Sequence, residues 1–298
     1  MNTLQAYAGV ARAPFLLLPP TLIASGAAAA AWDGHFSWLH SVVALIGLTA
    51  LHIAVDAFNE WSDMRTGIDL NTERTPFSGG SGTLPAGGMT LRAALVYGVV
   101  CAVIGLGVGL WFVARVGPVL VPLLVVGGIC VVFYTDILAR LWIGEIAAGF
   151  GLGMGPVLGA ALVQDGSWSP AAMAASVPAF FMTFNLLFLN EFPDEKADRE
   201  GGRRNIVLLL GRRRAALVYA AAALATPLAI VISVLQGWLP TPALIGALPS
   251  LLLVKPLAWA FGSATEPVPI PAMGANVAWN LATNVLLAVG IVIAILIR

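Results

Sequence analysis

Charge is what this sequence has least of. Only 10% of its 298 residues are Asp, Glu, Lys or Arg, split evenly between fifteen acids and fifteen bases, so the formal net charge is zero. That balance points to no nucleic-acid partner and to no strongly acidic one. Cysteine is nearly missing too: Cys101 and Cys130 are the only two, and both fall inside apolar runs, where they read as small buried apolar residues rather than a disulfide or a metal site. Apolar segments that alternate with period two are also lacking, which disfavours a membrane β-barrel.

What fills the chain instead is apolar sequence, 59% of all residues, with a mean hydropathy of +0.91. Such a composition cannot give an ordinary soluble domain with a polar exterior. A helix crosses a bilayer with about 20 apolar residues, and the sequence predicts roughly nine such spans, near 14–32, 38–58, 93–113, 117–135, 143–163, 171–190, 214–235, 239–258 and 276–297. The first contains Pro19-Pro20 and is followed directly by further spans, so it reads as a retained helix and not as a cleaved signal. The expectation is an all-α polytopic membrane bundle, a single domain over residues 1–298, with a central cavity.

Basic residues orient the bundle, because Lys and Arg are retained on the cytoplasmic side. An inside N-terminus places Arg12, Arg65, Arg74, Arg92, Arg140, Lys196, Arg199, Arg203, Arg204, Arg212, Arg213, Arg214 and Lys255 there, and leaves only Arg115 and Arg298 outside.

The acids are less evenly spread. Two segments, Asp56 to Asp69 and Asn190 to Asp198, follow apolar spans on that same side. Charged groups at such places are costly and mark functional sites by default. In the first, His52, Asp56, Asn59 and Asp63 are spaced four, three and four apart and share one helix face, while Ile53, Val55 and Phe58 take the others. In the second, Asn190, Asp194 and Asp198 repeat every four residues, with Glu191 three before Asp194 and with Lys196, Arg199, Arg203 and Arg204 close by. Pro193 is a candidate kink. Two clusters of hard oxygen ligands with trailing cations suit Mg²⁺ and a diphosphate. The basic run Arg212 to Arg214 reads as an ordinary solvated loop.

Other polar or small-residue patterns have plainer readings. Gly151, Gly155 and Gly159 form a ladder suited to close helix packing. Asn276, Asn280 and Asn284 share one face of the last span, either lining the cavity or bonding to neighbouring helices. The stretch Ser78 to Gly88 lacks the lysine of a phosphate-binding P-loop and reads as a flexible lid.

The pattern Asn59-Glu60-x-x-Asp63 with Asp69 beyond it, then Glu73-Arg74-Thr75 and Ser78-Gly-Gly-Ser-Gly-Thr-Leu-Pro-Ala-Gly, resembles the first motif of the UbiA superfamily of intramembrane aromatic prenyltransferases. The run Asn190-Glu-Phe-Pro-Asp194-Glu-Lys-Ala-Asp198-Arg-Glu-Gly-Gly-Arg-Arg looks like its second. Arg12 before Pro14-Phe15, Tyr134-Thr135, Gly144-Glu145 and Gly155-Pro156 fit as well, and the nearest likeness is to the 1,4-dihydroxy-2-naphthoate prenyltransferase branch. The resemblance implies a nine-helix bundle, two Mg²⁺ ions bridging an isoprenyl diphosphate, and a lateral opening for the lipid tail. Carried over, Asn59, Glu60 and Asp63 would serve one metal and Asp194 with Asp198 the other. Arg12, Arg74, Lys196 and Arg203 would neutralise the diphosphate. His52, Asp56, Tyr134 and Asn190 are candidates to meet an aromatic acceptor in menaquinone-type quinone synthesis. Glu60 stands where the family has Asp, and Asp136-Ile-Leu-Ala replaces the family's common Gly-Pro pattern. A terpene cyclase on the same scaffold, or a transporter with intramembrane carboxylates, are the competing expectations. The site is expected to face the cytoplasm from the plasma or inner membrane.

Overall fold

The computed structural model describes residues 1–298 and is helical throughout. In chain order the helices are α1 (Thr3–Val10), α2 (Leu18–Trp32), α3 (Trp38–Thr66), α4 (Ile68–Asn71), α5 (Leu91–Val116), α6 (Val121–Phe133), α7 (Gly144–Gly149), α8 (Gly155–Asp165), α9 (Pro170–Glu200), α10 (Ile206–Leu210), α11 (Arg212–Leu235), α12 (Val254–Gly262) and α13 (Ile270–Leu296). Eight helical stretches are long and apolar enough to cross a membrane. The expected fourth span is the exception: Pro118–Phe133 is a shorter apolar helix. Three spans are composite. A 3-10 stretch, Ala13–Leu17, leads into α2, a π-helical turn at Phe150–Met154 joins α7 to α8, and a second 3-10 stretch, Thr241–Leu253, leads into α12.

The two acid-bearing helices run well past their apolar spans. Helix α3 continues past residue 58 to Thr66 and ends at Gly67, whose φ of +82° is the left-handed C-cap that favours glycine. Likewise α9 passes through Pro193 unbroken and ends at Glu200. Each therefore carries its carboxylates on a regular helix face rather than on a loop.

Opposite faces of these helices fix them in place. On α3, Leu51 and Phe58 lie against α5 where a Cβ on Gly105 or Gly98 would collide with them. On α9, Phe180, Phe184, Phe188 and Phe192 recur every four residues in a chain of ring contacts that ends on Trp259 of α12 at a centroid distance of 4.8 Å. Small residues do the same for α2 and α8, which touch through Gly26, Val157 and Ala160. The ladder on the composite fifth span also packs, with Gly151 against Cys130 and Gly159 against Leu123 of α6.

None of the α13 asparagines lines the cavity, and the stripe is bonded to neighbouring helices at Asn276 alone. Asn276 accepts from the Tyr219 hydroxyl at 2.9 Å and donates to the Asn185 carbonyl at 3.1 Å, while Asn284 donates to Asn280. Arg212 is no solvated loop residue either: it donates to the carbonyls of Phe192, Ala264 and Glu266 and to Glu195, tying α9, α11 and the segment before α13 together.

A leucine at Gly26, where the added atoms meet the Val157 carbonyl and Ala160, is expected to cost about 1–3 kcal/mol. Leucine at Gly107, which has nothing within 4 Å of a built Cβ, should be neutral. Thermal unfolding of the two variants in detergent checks this, and equal melting points would contradict the packing described.

Candidate active site

The polar faces of α3 and α9 meet across one cavity. His52, Val55, Asp56, Asn59 and Asp63 line it from α3; Thr183, Leu187, Asn190, Glu191, Asp194 and Asp198 line it from α9. Helix α4 adds Ile68 and Asp69, the following loop adds Phe77 to Gly80, and Cys130, Val131, Tyr134, Gly151 and Leu152 close another wall. Charge collects at the C-terminal ends of α3 and α9, and apolar side chains such as Leu18, Leu152 and Leu186 lie deeper. A second, almost wholly apolar groove runs between α3, α5, α6 and α8 and shares Val131 and Gly151 with the first.

Arg203 joins the two acidic faces. Its Nη2 donates to both oxygens of Asp63, at 2.6 and 2.5 Å, and its Nη1 reaches Asp198 at 3.4 Å. Burial disfavours a cation here, yet Asp63 and Asp198 outweigh that effect and hold the guanidinium above its ordinary pKa. Asp198 also accepts from Asn205 Nδ2 at 2.9 Å. Arg12, in a left-handed conformation with φ of 45°, donates to Asn59 Oδ1 at 2.8 Å and to Glu60 Oε1 at 3.1 Å. His52 stands 3.6 Å from Asp56, and Asn190 donates to the Phe77 carbonyl at 2.8 Å. Asp69 lies outside the spans, and burial, reinforced by Glu60 and Asp63, pushes its carboxyl up to about 7.

Three expected residues are elsewhere. Lys196 is exposed and absent from the cavity wall. Arg74 is exposed as well, and its Nη2 donates to the Asp69 carbonyl at 2.7 Å. Glu60 is fully buried but faces away from the cavity, with both oxygens taken by Arg12 and Ser81. That contact also pins the glycine-rich segment, which is held over the site instead of hanging free. Asp69, Glu191 and Ser78 to Gly80 belong to the wall as well: the sequence places the two acids in the acidic segments and Ser78 to Gly88 in a lid, without assigning any of them a metal or substrate contact. Asn205 and Glu145 support it from behind: Glu145 accepts from the Ile206 N–H at 2.6 Å, fixing the loop that carries Arg203.

The donor set fits a hard divalent cation. Buried oxygens of Asp56, Asp69, Glu191 and Asp194 have no hydrogen-bond partner, and carboxylate oxygens are the ligands Mg²⁺ takes. No three acidic, histidine or cysteine side chains converge on one point with Arg203 seated between Asp63 and Asp198.

Residues 17–281 match the UbiA prenyltransferase family. The chain belongs to that family. It is a prenyltransferase by that membership, and two curated relatives agree. It is 26% identical over 305 residues to a 1,4-dihydroxy-2-naphthoate octaprenyltransferase of Escherichia coli (strain K12), covering 96% of this chain and 95% of that protein. A protein of the same description from Bacillus subtilis (strain 168) is 24% identical over 261 residues, 82% of this chain and 78% of the relative. Among solved structures, a UbiA homologue from Aeropyrum pernix K1 superposes with a TM-score of 0.72 at 18% identity, over 95% of this chain and 98% of that one. A UbiA homologue from Archaeoglobus fulgidus bound to GPP and Mg²⁺ gives 0.63 at 15% identity, over 95% and 99%. At these identities the superpositions establish the fold.

Removing the cation that joins the faces should be costly. Arg203→Ala leaves Asp63 buried without a partner and Asp198 with Asn205 alone, an expected loss of about 3 kcal/mol, and added Mg²⁺ should restore part of it by binding the folded state alone. Melting curves with and without MgCl₂ check this; a variant as stable as the parent in both would refute the bridging role.

Proposed function

We propose that the protein transfers a polyprenyl group from an isoprenyl diphosphate to an aromatic acceptor of the 1,4-dihydroxy-2-naphthoate kind, with Mg²⁺ as cofactor, at the cytoplasmic face of the plasma or inner membrane. One observation carries this reading: carboxylates from two helices and two half-buried arginines crowd one end of a cavity whose other end is apolar. An allylic diphosphate has the same polarity, anionic at one end and hydrocarbon at the other. The names of the curated relatives support the naphthoate acceptor, and the printed ligands of the archaeal homologue support the donor and the metal.

Held by Asn59, Asp63, Asp194 and Asp198, magnesium would offset the charge of the diphosphate and stabilise it as a leaving group. Arg12 and Arg203 would donate to the same phosphate oxygens, since guanidinium is suited to bidentate recognition of phosphate. The carbon–oxygen bond of the donor breaks and its electron pair leaves with diphosphate. A ring carbon of the acceptor supplies the pair for the new carbon–carbon bond, and the ring loses a proton, or carbon dioxide if that carbon carries a carboxylate. Leu18, Leu152, Leu186 and Leu187 keep water from the allylic carbon. Tyr134 and the His52–Asp56 pair stand on the cavity wall where they would orient the acceptor; Asn190, already bonded to Phe77, would hold the wall. The apolar groove that opens from Val131 and Gly151 suits the remaining isoprenoid tail. The basic residues that set the cytoplasmic orientation are thirteen of the fifteen in the chain.

Membranes carrying the protein, given a labelled polyprenyl diphosphate, Mg²⁺ and a panel of aromatic acids, should form prenylated product. Asp63→Ala and Asp194→Ala should each lower turnover by about a hundredfold or more, at unchanged expression, and chelation should stop the parent enzyme. Unchanged turnover in both variants would remove the metal assignment, and consumption of donor without acceptor would point to a cyclase.

A further inference from the structure

The residue after Asn59 carries a carboxylate with no exposure at all. One step along an α-helix turns a side chain by about 100°, which takes Glu60 off the face shared by Asn59 and Asp63. Its Oε1 accepts from Arg12 Nε at 3.1 Å and from the Ser81 N–H at 2.7 Å; its Oε2 accepts from the Ser81 hydroxyl at 2.7 Å. Both oxygens are spent on protein donors, and Glu60, unlike Asn59, Asp63, Asp194 and Asp198, is absent from the cavity wall.

Both partners belong to segments whose backbone needs holding. Arg12 has the left-handed φ of 45° that a side chain makes unfavourable. Ser81 lies between Gly80 and Gly82, with φ of +70° and +72°. The loop packs tightly on the acidic mouth: a Cβ on Gly80 would strike the Asp69 carboxylate. Glu60 thus fixes, through one group, an arginine and a loop that both line the cavity.

We propose that Glu60 is a positioning residue, a latch that holds Arg12 and the Ser78 to Gly82 loop over the acidic mouth and so sets diphosphate affinity without ligating metal. This role rests on the diphosphate reading above. An aspartate here would draw the carboxylate back by roughly 1.5 Å, one carbon–carbon bond, and could not reach Ser81 and Arg12 together. The longer side chain is what closes the latch.

The test uses the full-length protein as parent, Glu60→Gln, Glu60→Asp, Ser81→Ala and Ser81→Thr, with Asp63→Asn as the metal-site control. Three quantities are read: KM for geranyl diphosphate with 1,4-dihydroxy-2-naphthoate as acceptor, the Mg²⁺ concentration for half-maximal turnover, and amide hydrogen exchange of residues 78–84 without substrate. Glu60→Gln, Glu60→Asp and Ser81→Ala should raise KM about tenfold, as loss of a charge-assisted hydrogen bond does, while the Mg²⁺ requirement moves by less than about twofold. Exchange in the loop should rise in all three, Ser81→Thr should stay near the parent, and Asp63→Asn should raise the Mg²⁺ requirement. If Glu60→Gln proves too unstable, Ser81→Ala carries the same readouts. A Mg²⁺ requirement raised by Glu60→Gln as much as by Asp63→Asn, or loop exchange unchanged in Ser81→Ala, would overturn the latch. Exchange needs no turnover, so a parent protein that transfers no prenyl group would defeat the functional reading and leave the latch to be judged on its own.

Discussion

Carboxylates cannot be gathered at the end of a membrane-length bundle unless something positive stands between them. In this protein that something is Arg203, which binds Asp63 on α3 and Asp198 on α9 at once. Breaking such a buried pair leaves a charge with no compensation, which is far more costly than losing a surface ion pair. The rest of the arrangement serves this contact. Glu145 and Asn205 hold the loop that presents Arg203, and Arg212 stitches the far side of α9 to α11 and to the segment before α13. A guanidinium that links acids on two helices also marks where a metal cation would compete for the carboxylate oxygens and a diphosphate for the guanidinium.

Geometry of this kind requires helices that do not slide. The bundle achieves that with two different packing chemistries. Around α2, α3, α5 and α8, glycines let backbones approach until neighbouring side chains touch the main chain. Around α9, a row of phenylalanines does the work through ring contacts with one another and with Trp259. Both leave one face of each acid-bearing helix for the cavity. The looser side is the groove beside the short α6, where apolar walls meet no close partner and a flexible hydrocarbon chain would fit.

Much of this was legible in local spacing. Steps of four, three and four put His52, Asp56, Asn59 and Asp63 on one face, and steps of four did the same for Asn190, Asp194 and Asp198; the cavity is lined by all seven. The same arithmetic turns two expected residues off those faces, and neither lines the cavity. Lys196 lies two positions from Asp194 and is turned by about 200° from it, and Glu60 lies one position from Asn59. Charge type argued for including them, and helix geometry argued against. Arg74, Asn205 and Glu145 were beyond reach for another reason. Their partners depend on how the loops after α4 and α9 fold back, and Glu145 finds Ile206 across 61 residues of sequence. Asn276 and its neighbours on α13 had two readings on one helix face, and only the positions of α9 and α11 decide between them.

The central claim is that the tips of α3 and α9 together form one cation and diphosphate site. Diffraction from crystals grown with Mn²⁺ and a non-hydrolysable isoprenyl diphosphate analogue tests it most directly, since manganese takes the same oxygen ligands and scatters anomalously. The account predicts anomalous peaks between the carboxylates of Asp63 and those of Asp194 and Asp198, with Arg203 moved onto the phosphates and Glu60 still bonded to Ser81. Peaks confined to one helix, or manganese ligated by Glu60, would contradict it.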